Sequence, residues 1–131
     1  AVGLEANARD IPAMLSGGMR QRAALARTLL EDRPVVLMDE PFSALDSITR
    51  IKLQELSARL LSGKTILLVT HDPMEALRLS HQIYVLAGRP ARLESAMQLD
   101  GDPVRDLHDP VVLQGQADLL QRLSDAEAAL P

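Results

Sequence analysis

Short apolar runs alternate with helical patterns through the middle of the chain. Residues 35–38 and 65–70 are almost wholly apolar and bounded by turn residues, which is typical of strands covered on both faces. Between them, leucines recur at helical spacing after Asp46, which can cap a helix, and Ser62-Gly63 ends the pattern. Strands that alternate with helices predict an α/β fold with a mainly parallel sheet flanked by helices.

A further helix is predicted on the N-terminal side of the first strand. Ser16 stands where it can cap this helix, and Arg33-Pro34 ends it. Four apolar residues at helical spacing are expected to form its buried face: Met19, Ala23, Ala26 and Leu30.

The C-terminal part of the chain continues the alternation. Pro73 suits the first turn of a helix that runs to Leu79, and residues 82–87 form an apolar third strand. Apolar and polar residues alternate over residues 93–99, which predicts a half-exposed fourth strand. Asp109 can cap a last helix, whose inward residues are expected to be Val112, Leu119, Leu120 and Leu123.

Composition narrows the class of protein. The chain has 131 residues, 47% apolar and 24% charged, without cysteine, and it has no apolar stretch near the 18 residues or so that would span a bilayer. A net charge of −4 and only 2% aromatic residues argue against a nucleic-acid surface. We therefore expect a cytosolic chain that is one domain or part of one. Because residues 1–15 read as a helix end and a loop, we expect a truncated chain.

Two acids close the first strand. Asp39 and Glu40 would lie at the carboxyl end of that strand, where α/β sheets place their ligands. Asp39 suits holding Mg²⁺, and Glu40 suits orienting and deprotonating a water molecule. Pro41 is expected to hold Glu40 in an extended conformation. The alternative is that these residues form only a polar turn.

His71 follows the second strand and is expected at the same sheet edge as Glu40. A neutral imidazole there could bind a terminal phosphate or position the attacking water. Alone, such a histidine would be read as a loop residue. His81 and His108 lack this placement and are expected to be surface or packing residues.

The predicted first helix begins with a possible anion site. Ser16, Gly17 and Gly18 would offer a hydroxyl and unobstructed N–H groups at a helix N-terminus. Arg20 and Arg22 oppose the helix dipole but are tolerable beside a phosphate. The alternative is a serine-capped turn whose glycines serve geometry alone.

One phosphate-loop pattern is rejected. Residues 58–65, ARLLSGKT, fit a permissive version of it, but they follow a helix and open a strand. A phosphate loop has the opposite order. Lys64 is therefore expected to be a solvated loop charge.

Four motifs stand in one order: LSGGMRQR at 15–22, VVLMDEP at 35–41, FSALD at 42–46 and VTHD at 69–72. Together they resemble the ATP-binding cassette (ABC) ATPases over roughly residues 11–86. The resemblance implies that Leu15, Ser16, Gly17, Gly18 and Gln21 form the signature motif, which binds ATP. It further implies that Asp39 ends the Walker B strand and holds Mg²⁺, that Glu40 is the catalytic base, that Asp46 belongs to the D-loop, and that His71 is the switch histidine.

The resemblance also implies a partial P-loop NTPase domain. Residues 1–30 would end its helical subdomain, 31–88 would carry the Walker B to switch-histidine core, and 89–131 would form a C-terminal strand and helix. The family's phosphate loop and Q-loop glutamine precede the signature motif and are absent from this sequence. We therefore expect the isolated chain neither to bind ATP tightly nor to hydrolyse it.

Three stretches resemble a particular group of importers: PFSALD, THDPMEAL and the tail from residue 85 to 106. The group comprises nitrate, sulfonate and taurine importers and includes importers of thiamine-precursor pyrimidines. This implies a head-to-tail dimer of ATPase subunits, held by transmembrane permease subunits at the inner face of the membrane, with a solute-binding protein as an indirect partner. The alternatives are an ABC ATPase acting on DNA or ribosomes, and a remnant without activity.

Overall fold

The computed structural model describes residues 2–128. The chain divides into two compact units, Ala1–Val69 and Thr70–Pro131, and each is described by itself. Within the described residues no helix is both long enough and apolar enough to cross a membrane.

The first unit is a β-α-β arrangement preceded by a helix. Two short 3-10 turns, Glu5–Asn7 and Pro12–Met14, lead into four elements: α1 (Gly17–Glu31), β1 (Val35–Asp39), α2 (Ser47–Leu60) and β2 (Thr65–Val69). The two strands pair in parallel, with Val35 opposite Thr65 and Asp39 opposite Val69. The predicted α/β class with parallel strands is confirmed in this unit, where the sheet is small.

Side chains close both helix starts as predicted. The Ser16 hydroxyl oxygen accepts a hydrogen bond from the Met19 N–H at 3.2 Å, and Asp46 Oδ1 accepts one from the Thr49 N–H at 3.1 Å. Each bond satisfies an N–H group that has no partner within its helix, which is why these residues begin helices.

Burial in the first unit differs from the prediction at several apolar positions. In α1 the buried residue is Leu25, whereas Leu30 is 86% exposed, so placing Leu30 on the buried face was wrong. The expectation that both strands are covered on two faces was also wrong, since Leu37 is 74% and Leu67 58% exposed. The strands pair only with each other among the described residues, and five of their eight apolar residues are exposed.

Lys64 is not the solvated charge that the sequence predicts. Its Nζ lies 2.7 Å from Asp32 Oδ1 and donates to the Arg33 carbonyl oxygen at 3.0 Å, and its side chain is only 14% exposed. The hydrogen bond and the charge of Lys64 lower the pKa of Asp32. Residues 32 apart in sequence meet here because parallel pairing brings the starts of β1 and β2 side by side.

The second unit packs two helices with short antiparallel strands. Its elements are α3 (Pro73–Leu79), β3 (Gln82–Ile83), β4 (Leu86–Ala87), β5 (Arg92–Leu93), β6 (Met97–Gln98) and α4 (Pro110–Ala128). β3 pairs with β6, and β4 pairs with β5. The predicted single strands at 82–87 and 93–99 are therefore each broken in two, whereas α3 has its predicted bounds.

The core of this unit lies between α3 and α4. Leu77 and Val112 are completely buried there, and a Cβ added to Gly115 would lie 2.7 Å from Leu77 Cδ2, so a larger residue at this position would displace the Leu77 side chain. Asp109 Oδ1 accepts from the Val111 N–H at 2.8 Å, near the predicted start of α4. Leu119 is buried as expected, but Leu120 is 48% exposed and was placed wrongly.

Arg105 joins the end of α3 to the loop before α4. Arg105 is 3% exposed, and its guanidinium donates to four backbone carbonyl oxygens: Leu77 at 3.1 Å, Ser80 at 2.7 Å, Asp100 at 3.0 and 3.1 Å, and Gly101 at 2.7 Å. These carbonyl oxygens lie at a helix C-terminus and in an irregular loop, where helix or sheet hydrogen bonding supplies no backbone N–H donor. A planar group with five donors can satisfy them together.

Replacing Arg105 with Met is expected to lower the free energy of unfolding by about 2–5 kcal/mol, because buried carbonyls would lose their donors. Urea unfolding followed by circular dichroism measures the change. Arg92→Met, at an exposed position of β5, is the matched control and should change stability by less than about 0.5 kcal/mol. Equal effects of the two substitutions would contradict this role for Arg105.

Candidate functional site

Residues 15–22, called the signature segment after the motif they resemble, pack against the segment that begins α2, within the first unit. A Cβ added to Gly18 would lie 2.8 Å from Thr49 Cγ2, and one added to Gly17 would lie 3.7 Å from the Ala44 carbonyl oxygen. Beside this contact lies an open cleft of about 260 Å³, lined by Gly3, Leu4, Asn7, Ser16, Gly18, Met19, Arg22 and Thr49. The structure thus brings together residues of two sequence motifs, LSGGMRQR and FSALD.

The polar side chains of the signature segment already have protein partners. Ser16 Oγ accepts the Met19 N–H, which leaves its own hydrogen to donate. Arg20 Nη1 donates to the Leu15 carbonyl oxygen at 2.6 Å, and Arg22 Nη1 donates to that of Val2 at 3.2 Å. Gln21 is half-buried in the second turn of the segment. Arg20 therefore binds the backbone of its own segment and Arg22 binds that of the N-terminal residues, while Ser16 and the helix N–H groups remain available to a ligand.

Asp39 and Glu40 lie at the carboxyl end of β1, as predicted. Asp39 is the last residue of the strand and its side chain is exposed, while Glu40 is half-buried. The Glu40 N–H donates to the Val69 carbonyl oxygen at 2.9 Å, which carries the parallel pairing one residue past the strand. The backbone of this candidate base is therefore held by the neighbouring strand.

The expected extended conformation of Glu40 is wrong. Its φ is +46°, in the left-handed region that residues other than glycine rarely adopt. The Glu40 carbonyl oxygen accepts the Ser43 N–H at 3.4 Å and the Ser43 hydroxyl at 3.1 Å, so a tight turn follows at once. Pairing with β2 on one side and this turn on the other override the local influence of Pro41.

The FSALD segment, residues 42–46, ends in a helix cap. Phe42 and Leu45 are buried and anchor it, and Arg50 Nη2 donates to the Leu45 carbonyl oxygen at 3.1 Å. Hydrogen bonds from Thr49, first from its side chain and then from its N–H, hold the pKa of Asp46 below its usual range. Asp46 is thus an exposed, ionised cap at this point of the chain.

His71 belongs to the second unit and is described within it. It is exposed and lies between Thr70 and Asp72, directly before α3. Its expected place at the same sheet edge as Glu40 stays a prediction.

The other two histidines are at the surface, as expected. His81 Nε2 lies 3.8 Å from Asp102, and His108 Nδ1 lies 3.2 Å from Asp106. Hydrogen bonds from His108, first from its backbone N–H, lower the pKa of Asp106.

The donor set for a metal ion is small. Within residues 2–128 no cluster of three or more His, Cys, Asp or Glu side chains could hold a metal ion. Mg²⁺ is commonly held by one or two carboxylates, with waters and substrate phosphates completing its shell. An exposed carboxylate at a strand end, such as Asp39, fits that mode of binding and does not fit a closed protein cage.

Sequence reasoning missed three side chains that hold these segments: Thr49, Thr70 and Glu75. Thr49 faces Gly18, and the Thr70 hydroxyl donates to Glu75 Oε2 at 2.6 Å. The place of Glu75 in the first turn of a helix was visible in the sequence, but its burial was not.

Comparison with known proteins agrees with the motifs. The ABC transporter family matches residues 1–43. An uncharacterized ABC transporter ATP-binding protein of Haemophilus influenzae is 46% identical over 125 residues, which are 93% of this chain and 52% of that protein.

The chain is a homologue of the ABC transporter ATP-binding proteins. Aliphatic sulfonates import ATP-binding protein SsuB 2 of Burkholderia cenocepacia is 43% identical over 135 residues, covering 99% of this chain and 50% of that protein. Taurine import ATP-binding protein TauB of Pelagibacter ubique is 46% identical over 110 residues, 77% of this chain and 42% of its own. The family resemblance read from the four motifs is confirmed, and the chain spans about half the length of the curated relatives it matches.

The left-handed backbone at Glu40 has a measurable consequence. At this position Gly should give a free energy of unfolding about 1 kcal/mol higher than Ala does, because only glycine adopts positive φ without steric cost. Urea unfolding of Glu40→Gly and Glu40→Ala compares the two directly.

Glu55, exposed in the middle of α2, is the matched control. There the order should reverse, with Gly about 1 kcal/mol less stable than Ala, since helix propensity then decides. The same order at both positions would contradict the assigned backbone strain.

Proposed function

We propose that the chain supplies the signature, Walker B, D-loop and switch-histidine segments of an ATP-binding subunit with the P-loop NTPase fold. The subunit couples ATP hydrolysis to import of a small solute of the sulfonate or taurine type. The observation that carries the proposal is the placement of Asp39 and Glu40 at the carboxyl end of β1, next to a strand paired in parallel. The names of the relatives support the transport role.

Each proposed role rests on a local feature. Asp39 is exposed at the strand end and would hold Mg²⁺, which would neutralise phosphate charge. Glu40 would accept a proton from the attacking water, and its backbone is fixed by Val69 and Ser43. His71 is exposed and would contact the terminal phosphate as a hydrogen-bond partner.

The signature segment is proposed to serve a nucleotide held by a second subunit. Ser16 and the α1 N-terminus present one hydroxyl and several N–H groups suited to a phosphate, and Leu15, Gly17, Gly18 and Gln21 shape that surface. Two copies would meet head to tail about a two-fold axis. Asp46, an exposed cap beside the signature segment, would link the two sites.

The partners follow from the proposed transport role. Permease subunits would hold the ATPase dimer at the inner face of the membrane, and a solute-binding protein would deliver the solute. Within this subunit, residues 1–30 would complete a helical subdomain, 31–88 the catalytic core and 89–131 a C-terminal tail.

The catalytic assignment is testable in a joined subunit, in which the N-terminal half of the Haemophilus influenzae relative precedes residues 1–131. Glu40→Gln should lower the ATP turnover number by at least about 10²-fold, because the general base is removed. ATP binding, measured by equilibrium dialysis, should be unchanged. Glu55→Gln changes an exposed acid of α2 and should leave turnover unaltered. Turnover of Glu40→Gln near that of this control would refute the base assignment.

The solute class is testable in the host. Deleting the gene that encodes this chain should abolish growth when taurine or an aliphatic sulfonate is the sulfur source. Growth on sulfate should be unchanged, and a restored gene should reverse the defect. Unimpaired growth on both organic sulfur sources would exclude the proposed solute class without bearing on ATP hydrolysis.

A further inference from the structure

Hydrogen bonds link the two residues that flank His71, Thr70 and Asp72. The Thr70 hydroxyl donates to Glu75 Oε2 at 2.6 Å, and its oxygen accepts the Asp72 N–H at 3.1 Å. The donor and acceptor roles are consistent, since one hydroxyl can donate once and accept as well. The two residues that flank His71 are thus joined to each other and to α3.

Asp72 is anchored to the same helix from its own side chain. Its Oδ1 accepts the N–H of Met74 at 2.9 Å and that of Glu75 at 3.3 Å. Helix α3 is in turn fixed by Leu77, which is completely buried. The turn over residues 70–72 is therefore held in place by its hydrogen bonds to a packed helix.

The hydrogen bond to the Asp72 N–H acts directly on His71. That N–H belongs to the peptide group between His71 and Asp72, and the group is planar. Fixing its orientation restricts the backbone rotation of His71 and so the direction of its exposed imidazole. Glu75 supports the arrangement, because it accepts the hydrogen of the same hydroxyl whose oxygen holds the Asp72 N–H.

Burial of Glu75 argues that this carboxylate has a specific task. It is 3% exposed in the first turn of α3, where an acid could equally face solvent and still favour the helix dipole. Removing a carboxylate from water is costly unless hydrogen bonds compensate it. Thr70 supplies one such bond.

We propose that Glu75 is a positioning residue, which acts through Thr70 to set the backbone of His71. Glu75 and Thr70 touch no substrate in this scheme. The consequence for catalysis rests on the proposed function, in which His71 contacts the terminal phosphate. The consequence for the backbone stands without it.

Amide hydrogen exchange in the ¹⁵N-labelled chain tests the backbone effect. Thr70→Val keeps the side-chain shape but removes the hydroxyl, so the Asp72 amide should exchange about tenfold faster, as expected for loss of one hydrogen bond. Thr70→Ser should restore protection. Ser80→Ala is the matched control, because the Ser80 hydroxyl donates to the Ala76 carbonyl oxygen at 2.6 Å at the other end of α3. Unchanged Asp72 exchange in Thr70→Val would overturn the proposal.

Turnover of the joined subunit tests the effect on catalysis. Thr70→Val should lower kcat about tenfold with little change in KM for ATP, and Glu75→Gln should have a smaller effect in the same direction. In a His71→Ala background Thr70→Val should add nothing, because residues that act through one group are not additive. An equal further loss in that background would overturn positioning through His71.

The two experiments distinguish failure of the proposed role of His71 from failure of the proposed positioning by Glu75 and Thr70. If His71→Ala leaves turnover unchanged, the role of His71 in the proposed function fails, while the exchange result still decides whether Thr70 fixes the backbone. Glu75→Gln keeps the size of the side chain and supplies the exchange measurement if Thr70→Val does not fold.

Discussion

The parallel hydrogen bonds between β1 and β2 are the constraint on which the candidate site of the first unit depends. They align Asp39 with Val69 and continue through the Glu40 N–H, so the two acids lie at a defined sheet edge. The same pairing brings Lys64 to Asp32 at the opposite end of the strands. A strand end held in this way can carry an unfavourable backbone, and Glu40, at φ +46°, has one.

Several candidate site residues also stabilise the fold. Ser16 and Asp46 cap α1 and α2, while Arg20 and Arg22 bind the backbone carbonyl oxygens of Leu15 and Val2. A side chain committed to a cap has a fixed position before any ligand arrives, which favours precise contacts. Gly18 lies close to Thr49, so the starts of α1 and α2 are in contact. A displacement of one helix start would therefore displace the other.

In the second unit, contacts at both ends of a short helix hold the structure together. Arg105 binds carbonyl oxygens at the end of α3, while Asp72 and Thr70 fix its beginning. Helix α3 is only seven residues long, too short to be stable through its own hydrogen bonds. Its position is therefore set by contacts at both ends and by burial of Leu77 against α4.

The helix starts, the bounds of α3, the two parallel strands and the four family motifs could be predicted from local sequence patterns. These depend on local chemistry: a capping side chain, a proline in a first turn, or a short apolar run. Three features became visible only in the folded chain: burial of Leu25 in place of Leu30, the left-handed backbone of Glu40, and the ion pair of Lys64 with Asp32. Each depends on groups distant in sequence or on a turn closed by backbone bonds, which local patterns do not encode. The hydrogen bond between Thr70 and Glu75 could not be predicted either. Their spacing in sequence permits the contact, but it forms because Glu75 is buried.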